Sequence, residues 1–126
     1  MTSPTAKTIL IVDDSTSLRQ IVKMALDGMG YDVLEAADGQ AALALLDGRE
    51  IGLVISDLNM PKMNGFEFVK AAKAKTAYRF LTVLMLTTES QTAKKEEGKA
   101  AGVKAWMTKP FTPSSLQSAV SKLCPL

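Results

Sequence analysis

With 126 residues, 47% of them hydrophobic, the chain is long enough for one compact domain with a core of its own and leaves no room for a second. Its 15 basic and 13 acidic residues give a formal charge of +2, which does not favour nucleic acid or a membrane surface as a partner. The absence of His and the single Cys argue against a zinc site, and no apolar run approaches the roughly 20 residues of a membrane span.

The two ends of the chain suggest where the protein works. Met1–Lys7 carries Ser, Thr and Pro and lacks the apolar centre of an export signal. Residues 1–6 are therefore predicted to be a disordered tail, followed by one domain over residues 7–126. Cys124 has no second Cys with which to form an internal disulfide, which fits a reducing compartment. We expect a cytoplasmic protein.

Strand and helix patterns alternate along the first half of the chain. The β-branched apolar run Thr8–Asp13 predicts a strand buried on both faces. The helical spacing after it predicts a helix that begins at Ser15 as N-cap and stops near Gly30. The next predictions are a strand over Tyr31–Ala36, a helix over Gly39–Asp47, a strand over Gly52–Ser56 and a helix from about Phe66.

The second half continues the alternation. Leu81–Leu86 is the most apolar run and predicts a strand, and the polar stretch Glu89–Ala101 is helical by composition although Gly98 is expected to break it. Val103–Met107 predicts one more strand, and the last helix is expected to start at Ser114 or Ser115. Five strands that alternate with five helices imply a parallel α/β sheet covered on both sides, since parallel neighbours need crossover connections.

In such a sheet the functional crevice lies beyond the carboxyl ends of the strands. Each residue found there has an ordinary explanation: an N-cap for the acidic pair, a good β residue for a Thr, a solvated side chain for a Lys. Their convergence on one edge is what indicates a site. The residues at the predicted strand ends are Asp13, Asp14, Asp57, Thr87, Thr88 and Lys109.

Three carboxylates in a small crevice repel one another unless a cation or a bound proton offsets their charge. Mg²⁺ is the natural cation, because it takes oxygen ligands and keeps several waters beside one or two carboxylates and a phosphate. One carboxylate could then attack a phosphoryl donor as a nucleophile. The ammonium of Lys109 would neutralise charge on the transferred group, and Thr87 would donate a hydrogen bond to it.

Four short motifs, taken in chain order, resemble the receiver domain of two-component signalling. They are the acidic pair in IVDDS, the Asp in ISDLNMPKMNG, the Thr in MLTTES and the Lys-Pro in MTKPF. The resemblance spans the chain from about Lys7 to about Leu123. It implies a flavodoxin-like fold, a doubly wound five-stranded parallel sheet with five helices and the strand order 2-1-3-4-5 that is known for CheY.

The resemblance also implies how a phosphoryl group would be held. Asp57 would be the phosphoacceptor, and Thr87 and Lys109 would hold the phosphoryl oxygens. The Lys109–Pro110 bond would be cis, a conformation that an X-Pro bond reaches at low cost. The protein would assist its own phosphorylation and dephosphorylation without being an enzyme.

A metal site and two tuning positions follow from the same resemblance. Mg²⁺ would be bound by Asp14, Asp57 and the backbone carbonyl of Asn59, while Asp13 would act mainly through bound water. Asn59 and Glu89 would tune how fast water removes the phosphate.

The chain ends within a few residues of its last helix, so we expect its output to pass through a partner protein. It is most similar to chemotaxis regulators of the CheY type. That resemblance implies a monomer that receives phosphate from a histidine kinase of the CheA type and binds the flagellar motor switch, with a phosphatase as a further candidate partner. Pilus motility, or a phosphorelay shuttle or sink, is the alternative pathway.

Position 106 departs from the family pattern. The family places an aromatic switch residue there, commonly Tyr or Phe, and this chain has Trp106, its single Trp. A larger ring would swing inward less freely, or it would merely cap the apolar edge of the last strand. Six charged residues nearby are by default a solvated face and could instead rim a partner surface: Lys94, Lys95, Glu96, Glu97, Lys99 and Lys104.

Two other classes of protein compete with this interpretation. A phosphohydrolase with an aspartyl nucleophile also uses carboxylates, magnesium and Lys, but it normally takes its nucleophile from a D-x-D arrangement after the first strand, where this chain has adjacent Asp residues. A flavin-binding module would share the fold, yet no Ser/Thr/Gly-rich phosphate loop follows the first strand.

Overall fold

The computed structural model of the chain describes residues 7–88 and 92–126, and for residues 92–94 it describes the backbone alone. Its strands are β1 (Thr8–Val12), β2 (Asp32–Ala36), β3 (Leu53–Asp57), β4 (Val83–Thr87) and β5 (Ala105–Thr108). Its helices are α1 (Thr16–Asp27), α2 (Gly39–Leu45), α3 (Gly65–Lys73), α4 (Thr92–Ala101) and α5 (Pro113–Leu123). The strands form one parallel sheet in the order β2-β1-β3-β4-β5, which confirms the predicted fold.

Two hydrophobic cores cover the two faces of the sheet. One lies under α2, α3 and α4 and contains Phe66 and Phe68; we call it the α3 core. The other lies under α1 and α5 and contains Leu26 and Leu116; we call it the α5 core. Successive residues of each central strand contribute to opposite cores, because side chains of a strand alternate between its faces. This arrangement explains why β3 and β4 are buried along their whole length.

Two helix ends differ from the prediction. α1 ends at Asp27 and not near Gly30; the chain then turns, and Gly30 adopts φ +98°, which suits glycine. α5 begins at Pro113 and not at Ser114 or Ser115. Its N-cap is Thr112, whose hydroxyl accepts from the Ser115 N–H at 3.1 Å, while the Ser115 hydroxyl accepts from the Thr112 N–H.

The expected break at Gly98 is also absent, because α4 runs through that residue without interruption. A short 3-10 helix over Thr76–Tyr78 was not predicted. The predicted tail, residues 1–6, and the tuning residue Glu89 lie outside the described residues. Within the part of the chain that the structure describes, no helix is long and apolar enough to cross a membrane.

Candidate functional site

Acidic residues from two neighbouring strands meet at the carboxyl edge of the sheet. Asp13 and Asp14 directly follow β1, and Asp57 ends β3, which pairs with β1. One carboxylate oxygen from each residue lies within 4.8 Å of the other two. Asp13 and Asp57 are buried, with exposures of 1% and 6%, whereas Asp14 is exposed. The three carboxylates therefore form one small cluster that reaches solvent through Asp14.

Lys109 contributes an ammonium group to this cluster. Its Nζ lies 3.2 Å from Asp57 Oδ1 and 3.3 Å from Asp13 Oδ2. The Lys109 backbone N–H donates to the Thr87 carbonyl at 2.8 Å, which fixes the end of β5 beside the end of β4. Because both carboxylates are buried, the two ion pairs of Lys109 are less screened by water than pairs on an open surface.

The charges in the cluster perturb one another. Burial raises the pKa of Asp57, the charge of Lys109 opposes that change, and the charge of Asp13 adds to it, so that the pKa lies above its usual value. Burial alone would lower the pKa of Lys109, but the charges of Asp13 and Asp57 and its hydrogen bonds to both raise it above the usual value. Negative charge is therefore in excess at this edge, which favours the binding of a further cation.

The loop after β1 is held by its own hydrogen bonds and by a residue that the sequence analysis did not identify. The Ser15 N–H donates to Asp13 Oδ1 at 2.8 Å, and the Ser15 hydroxyl caps α1 by accepting from the Leu18 N–H. Arg19 donates from Nη1 to the Asp13 carbonyl at 2.5 Å and pairs through Nε with Glu35 of β2 at 3.2 Å. The guanidinium group thus joins the acidic loop, α1 and β2.

The loop after β3 returns close to the end of that strand. The Gly65 N–H donates to the Leu58 carbonyl at 2.8 Å. A Cβ atom at Gly65 would lie 2.6 Å from the Asp57 carbonyl oxygen, so no side chain fits there. Asn64 and Glu67 form a capping box that starts α3 at this point. The backbone geometry therefore requires a glycine directly behind the Asp57 backbone.

Thr87 lies on the side of the sheet that faces the α3 core. Met85 and Trp106 are paired in the ladder between β4 and β5, and both pack against the α3 core. Thr87 comes two residues after Met85, so its side chain points to the same face. Thr87 is fully buried, and Trp106 is partly buried.

The charged residues of the site lie on the opposite side of the sheet, in line with the strand residues that pack in the α5 core. Asp13, Asp57 and Lys109 each come two residues after a residue of β1, β3 or β5 that packs on the α5 core. Those preceding residues are Ile11, Ile55 and Met107. The site therefore stands at the carboxyl edge with Lys109 and the buried acids on one side and Thr87 on the other.

Two further features that the sequence predicts lie next to the carboxylate cluster: Asn59 and the Lys109–Pro110 peptide bond. Asn59 is exposed, and a hydrogen bond from its backbone N–H to the Asp57 carboxylate offsets a small part of the rise in the pKa of Asp57 that burial causes. The use of its carbonyl as a metal ligand stays a prediction. The Lys109–Pro110 peptide bond is cis in the structure.

The donor set fits a hard divalent cation. Asp13, Asp14 and Asp57 offer carboxylate oxygens at mutual distances that one ion can span. The exposed Asp14 leaves a side on which water ligands could remain. These three residues could therefore hold a metal ion.

Comparison with known proteins agrees with this geometry. Residues 9–121 match the model of the response regulator receiver domain. The chain is 42% identical over 111 residues to a chemotaxis protein CheY homolog of Campylobacter jejuni, a match that covers 86% of this chain and 85% of the relative. It is 40% identical over 111 residues to chemotaxis protein CheY1 of Helicobacter pylori, covering 86% and 90%.

A solved structure gives the same result in three dimensions. Chemotaxis protein CheY4 of Vibrio cholerae superposes with a TM-score of 0.90 and 47% identity, covering 94% of this chain and 98% of that one. The chain therefore belongs to the response regulator receiver domain family of two-component signalling, as a CheY-like member.

Proposed function

We propose that this chain is a response regulator that is phosphorylated on Asp57 and signals in chemotaxis by binding a protein partner. The observation that carries the proposal is the Lys109 ammonium between two buried carboxylates, at 3.2 Å from Asp57 and 3.3 Å from Asp13, with Asp14 beside them. A cation and a metal-binding set directed at one carboxylate are what phosphoryl transfer to that carboxylate requires.

Each residue would then have a defined part. A carboxylate oxygen of Asp57 forms the new bond to phosphorus as the bond from phosphorus to the donor's histidine nitrogen breaks. Lys109, already within 3.2 Å of Asp57, holds a phosphoryl oxygen, and the Thr87 hydroxyl donates to another. Mg²⁺, held by Asp14, Asp57 and the Asn59 carbonyl, with Asp13 acting through water, would supply charge neutralisation of the transferred group.

The phosphoacceptor function is tested by incubation with acetyl phosphate and magnesium. We expect intact-mass spectrometry to show one added phosphoryl group on the wild type and none on Asp57→Asn. Asp32→Asn is the matched control, because Asp32 is an exposed carboxylate at the other end of the sheet. Equal labelling of wild type and Asp57→Asn would remove Asp57 from this role, and sustained release of phosphate from a small ester would favour a phosphohydrolase.

The output surface that we propose lies beside Trp106. Lys95, Lys99 and Lys104 line a shallow groove of about 190 Å³ together with Val103 and Trp106. Three lysines around an apolar floor suit an acidic segment that carries an apolar anchor. The two compared relatives are named as chemotaxis proteins, which favours a motor switch protein as the partner and a CheA-type kinase as the donor.

The pathway is tested by capture of purified partners with and without beryllofluoride, a mimic of the phosphoryl group. We expect motor switch protein to be retained more strongly with the mimic, and Lys99→Glu to weaken that retention because it reverses one charge of the groove. Lys23→Glu, on the exposed face of α1, is the control. Retention of a histidine phosphotransfer protein alone would instead support the phosphorelay alternative.

A further inference from the structure

Gly98 occupies a position in α4 where glycine is unfavourable for the helix itself. It lies within the helix Thr92–Ala101 and is buried. A glycine in a helix interior destabilises the helix relative to alanine, because the unfolded chain gains conformational freedom. Its φ angle is not positive, so the backbone conformation does not require glycine. The reason for a glycine here must lie in what packs against it.

The ring of Trp106 fills the space that a side chain at position 98 would need. A Cβ atom built on Gly98 would lie 3.0 Å from Trp106 Cζ3 and 3.2 Å from Phe66 Cε1. The rings of Trp106 and Phe66 are 6.0 Å apart at their centroids and inclined by 37°. The indole ring therefore lies in a notch formed by the bare backbone of Gly98 on one side and Phe66 on the other, and we call this space the Gly98 notch.

The Gly98 notch is connected to the acceptor site through packed residues. Phe66 directly follows Gly65, where a Cβ atom would lie 2.6 Å from the Asp57 carbonyl oxygen. Trp106 is paired with Met85, two residues before the buried Thr87 on the same face of β4. A movement at the carboxyl ends of β3 and β4 would thus reach the indole ring through directly contacting groups.

We propose that Gly98 is a positioning residue for Trp106, and that its missing side chain is what allows an indole ring to occupy the inward position beside Phe66. Gly98 and Trp106 form a pair of complementary size, because the large side chain of Trp106 fills the space that the missing side chain of Gly98 leaves. Any response of Trp106 to phosphorylation rests on the proposed function. The position of the ring in the unphosphorylated protein is a separate property and can be tested alone.

The effect of a methyl group at position 98 follows from the contacts. Gly98→Ala would bring the new methyl group closer to the rings of Trp106 and Phe66 than ordinary packing permits. One of these two rings must therefore move. Phe66 is 2% exposed and enclosed by the core, whereas Trp106 is partly exposed. The indole ring therefore moves outward. The same substitution improves the helix propensity of α4, so the displacement does not require a loss of stability.

The test uses the fluorescence of Trp106, the single Trp of the chain. In the unphosphorylated protein with magnesium, we expect Gly98→Ala to shift the emission to longer wavelength and to increase quenching by iodide. Ala100→Gly is the matched control, because it weakens α4 at an exposed position two residues away and leaves the notch intact. It should leave both optical signals as in the wild type. Equal signals in wild type and Gly98→Ala, or the same change in Ala100→Gly, would overturn the proposal.

A second pair of variants keeps the proposal testable through stability. In a Trp106→Tyr background the smaller ring leaves room for a methyl group, so Gly98→Ala should raise the denaturant midpoint there by more than it does beside Trp106. An equal shift in both backgrounds would contradict a size-matched pair. Labelling of Asp57 is measured on the same samples. If Asp57 is not labelled, the proposed function fails, while the optical result still decides the role of Gly98.

Discussion

The two faces of the sheet are held in different ways. On the α5-core face, α5 buries Leu116 and Val120 completely and is capped by Thr112 and Ser115. On the other face, Gly98 and Ala101 are the buried residues among those of α4 whose burial the structure describes, and neither carries a large apolar side chain. Large buried side chains contribute most of the hydrophobic stabilisation of a helix. α5 is thus anchored by its side chains, and α4 by close backbone contact.

This difference separates two tasks. The buried acids and Lys109 continue the face that α5 anchors, where fixed distances between charges are needed. Thr87 and Trp106 belong to the face that α4 covers, where a response to the proposed phosphorylation would have to move. Elements with few large buried contacts open locally at lower free energy than the global fold. We therefore expect the chemistry to lie on the rigid face and the response on the adaptable one.

The largest expected effect tests the anchoring directly. Leu116→Ala removes a fully buried side chain from the α5 core and should lower the free energy of unfolding by about 2–5 kcal/mol. Ala101→Gly, at the buried end of α4, should cost about 1 kcal/mol, mainly through helix propensity. Denaturant unfolding of both variants gives the comparison. If the two losses were equal, the two helices would not differ in anchoring.

A smaller effect is expected from the charge of Asp57, and it depends on pH. Because the folded-state pKa of Asp57 is raised, the folded protein binds a proton more readily than the unfolded chain, so its contribution to stability falls as the pH rises through that pKa. Without metal, Asp57→Asn should therefore be more stable than wild type at neutral pH, and the gain should shrink as the pH is lowered toward 4.

The pH experiment has a matched control and a clear contrary result. Asp32→Asn, which removes an exposed carboxylate at the start of β2 outside the cluster, is measured alongside as the control for the loss of one carboxylate. A gain for Asp57→Asn that is constant from acidic to neutral pH would mean that the Asp57 charge is not the destabilising group. The rigid face would then tolerate its buried carboxylates without a cation.

Residues whose chemistry is local were predictable from the sequence, and residues defined by distant contacts were not. The strand ends at Asp13, Asp57 and Lys109 follow from apolar runs that stop at polar residues, and parallel strands bring such ends together. Arg19 carries no local sequence signal, because its partners are the Asp13 backbone carbonyl and the side chain of Glu35 on β2. Gly98 was interpreted as a helix breaker, since its real neighbour, the Trp106 ring, arrives from β5.

The start of α5 shows a third kind of limit. Ser and Thr are both good N-caps, and the sequence TPSS offers several starting points within four residues. Pro113 decides between them, because proline is favoured in the first helical turn and leaves Thr112 as the cap. Ser114 and Ser115, the two predicted starting points, both lie inside the helix, and Ser115 completes the capping box with Thr112.

The close approach behind Asp57 bears on how substitutions at this site would be interpreted. A Cβ at Gly65 would meet the Asp57 carbonyl at 2.6 Å and the Leu58 Cα at 3.0 Å, both of them backbone atoms that cannot rotate away. In a library that randomises each position and selects for folded protein alone, position 65 would return glycine although it does no chemistry. Under such a selection, intolerance to substitution at position 65 reports the crowding of the backbone behind Asp57, whereas Asp57→Asn, expected to stabilise the fold, would be accepted.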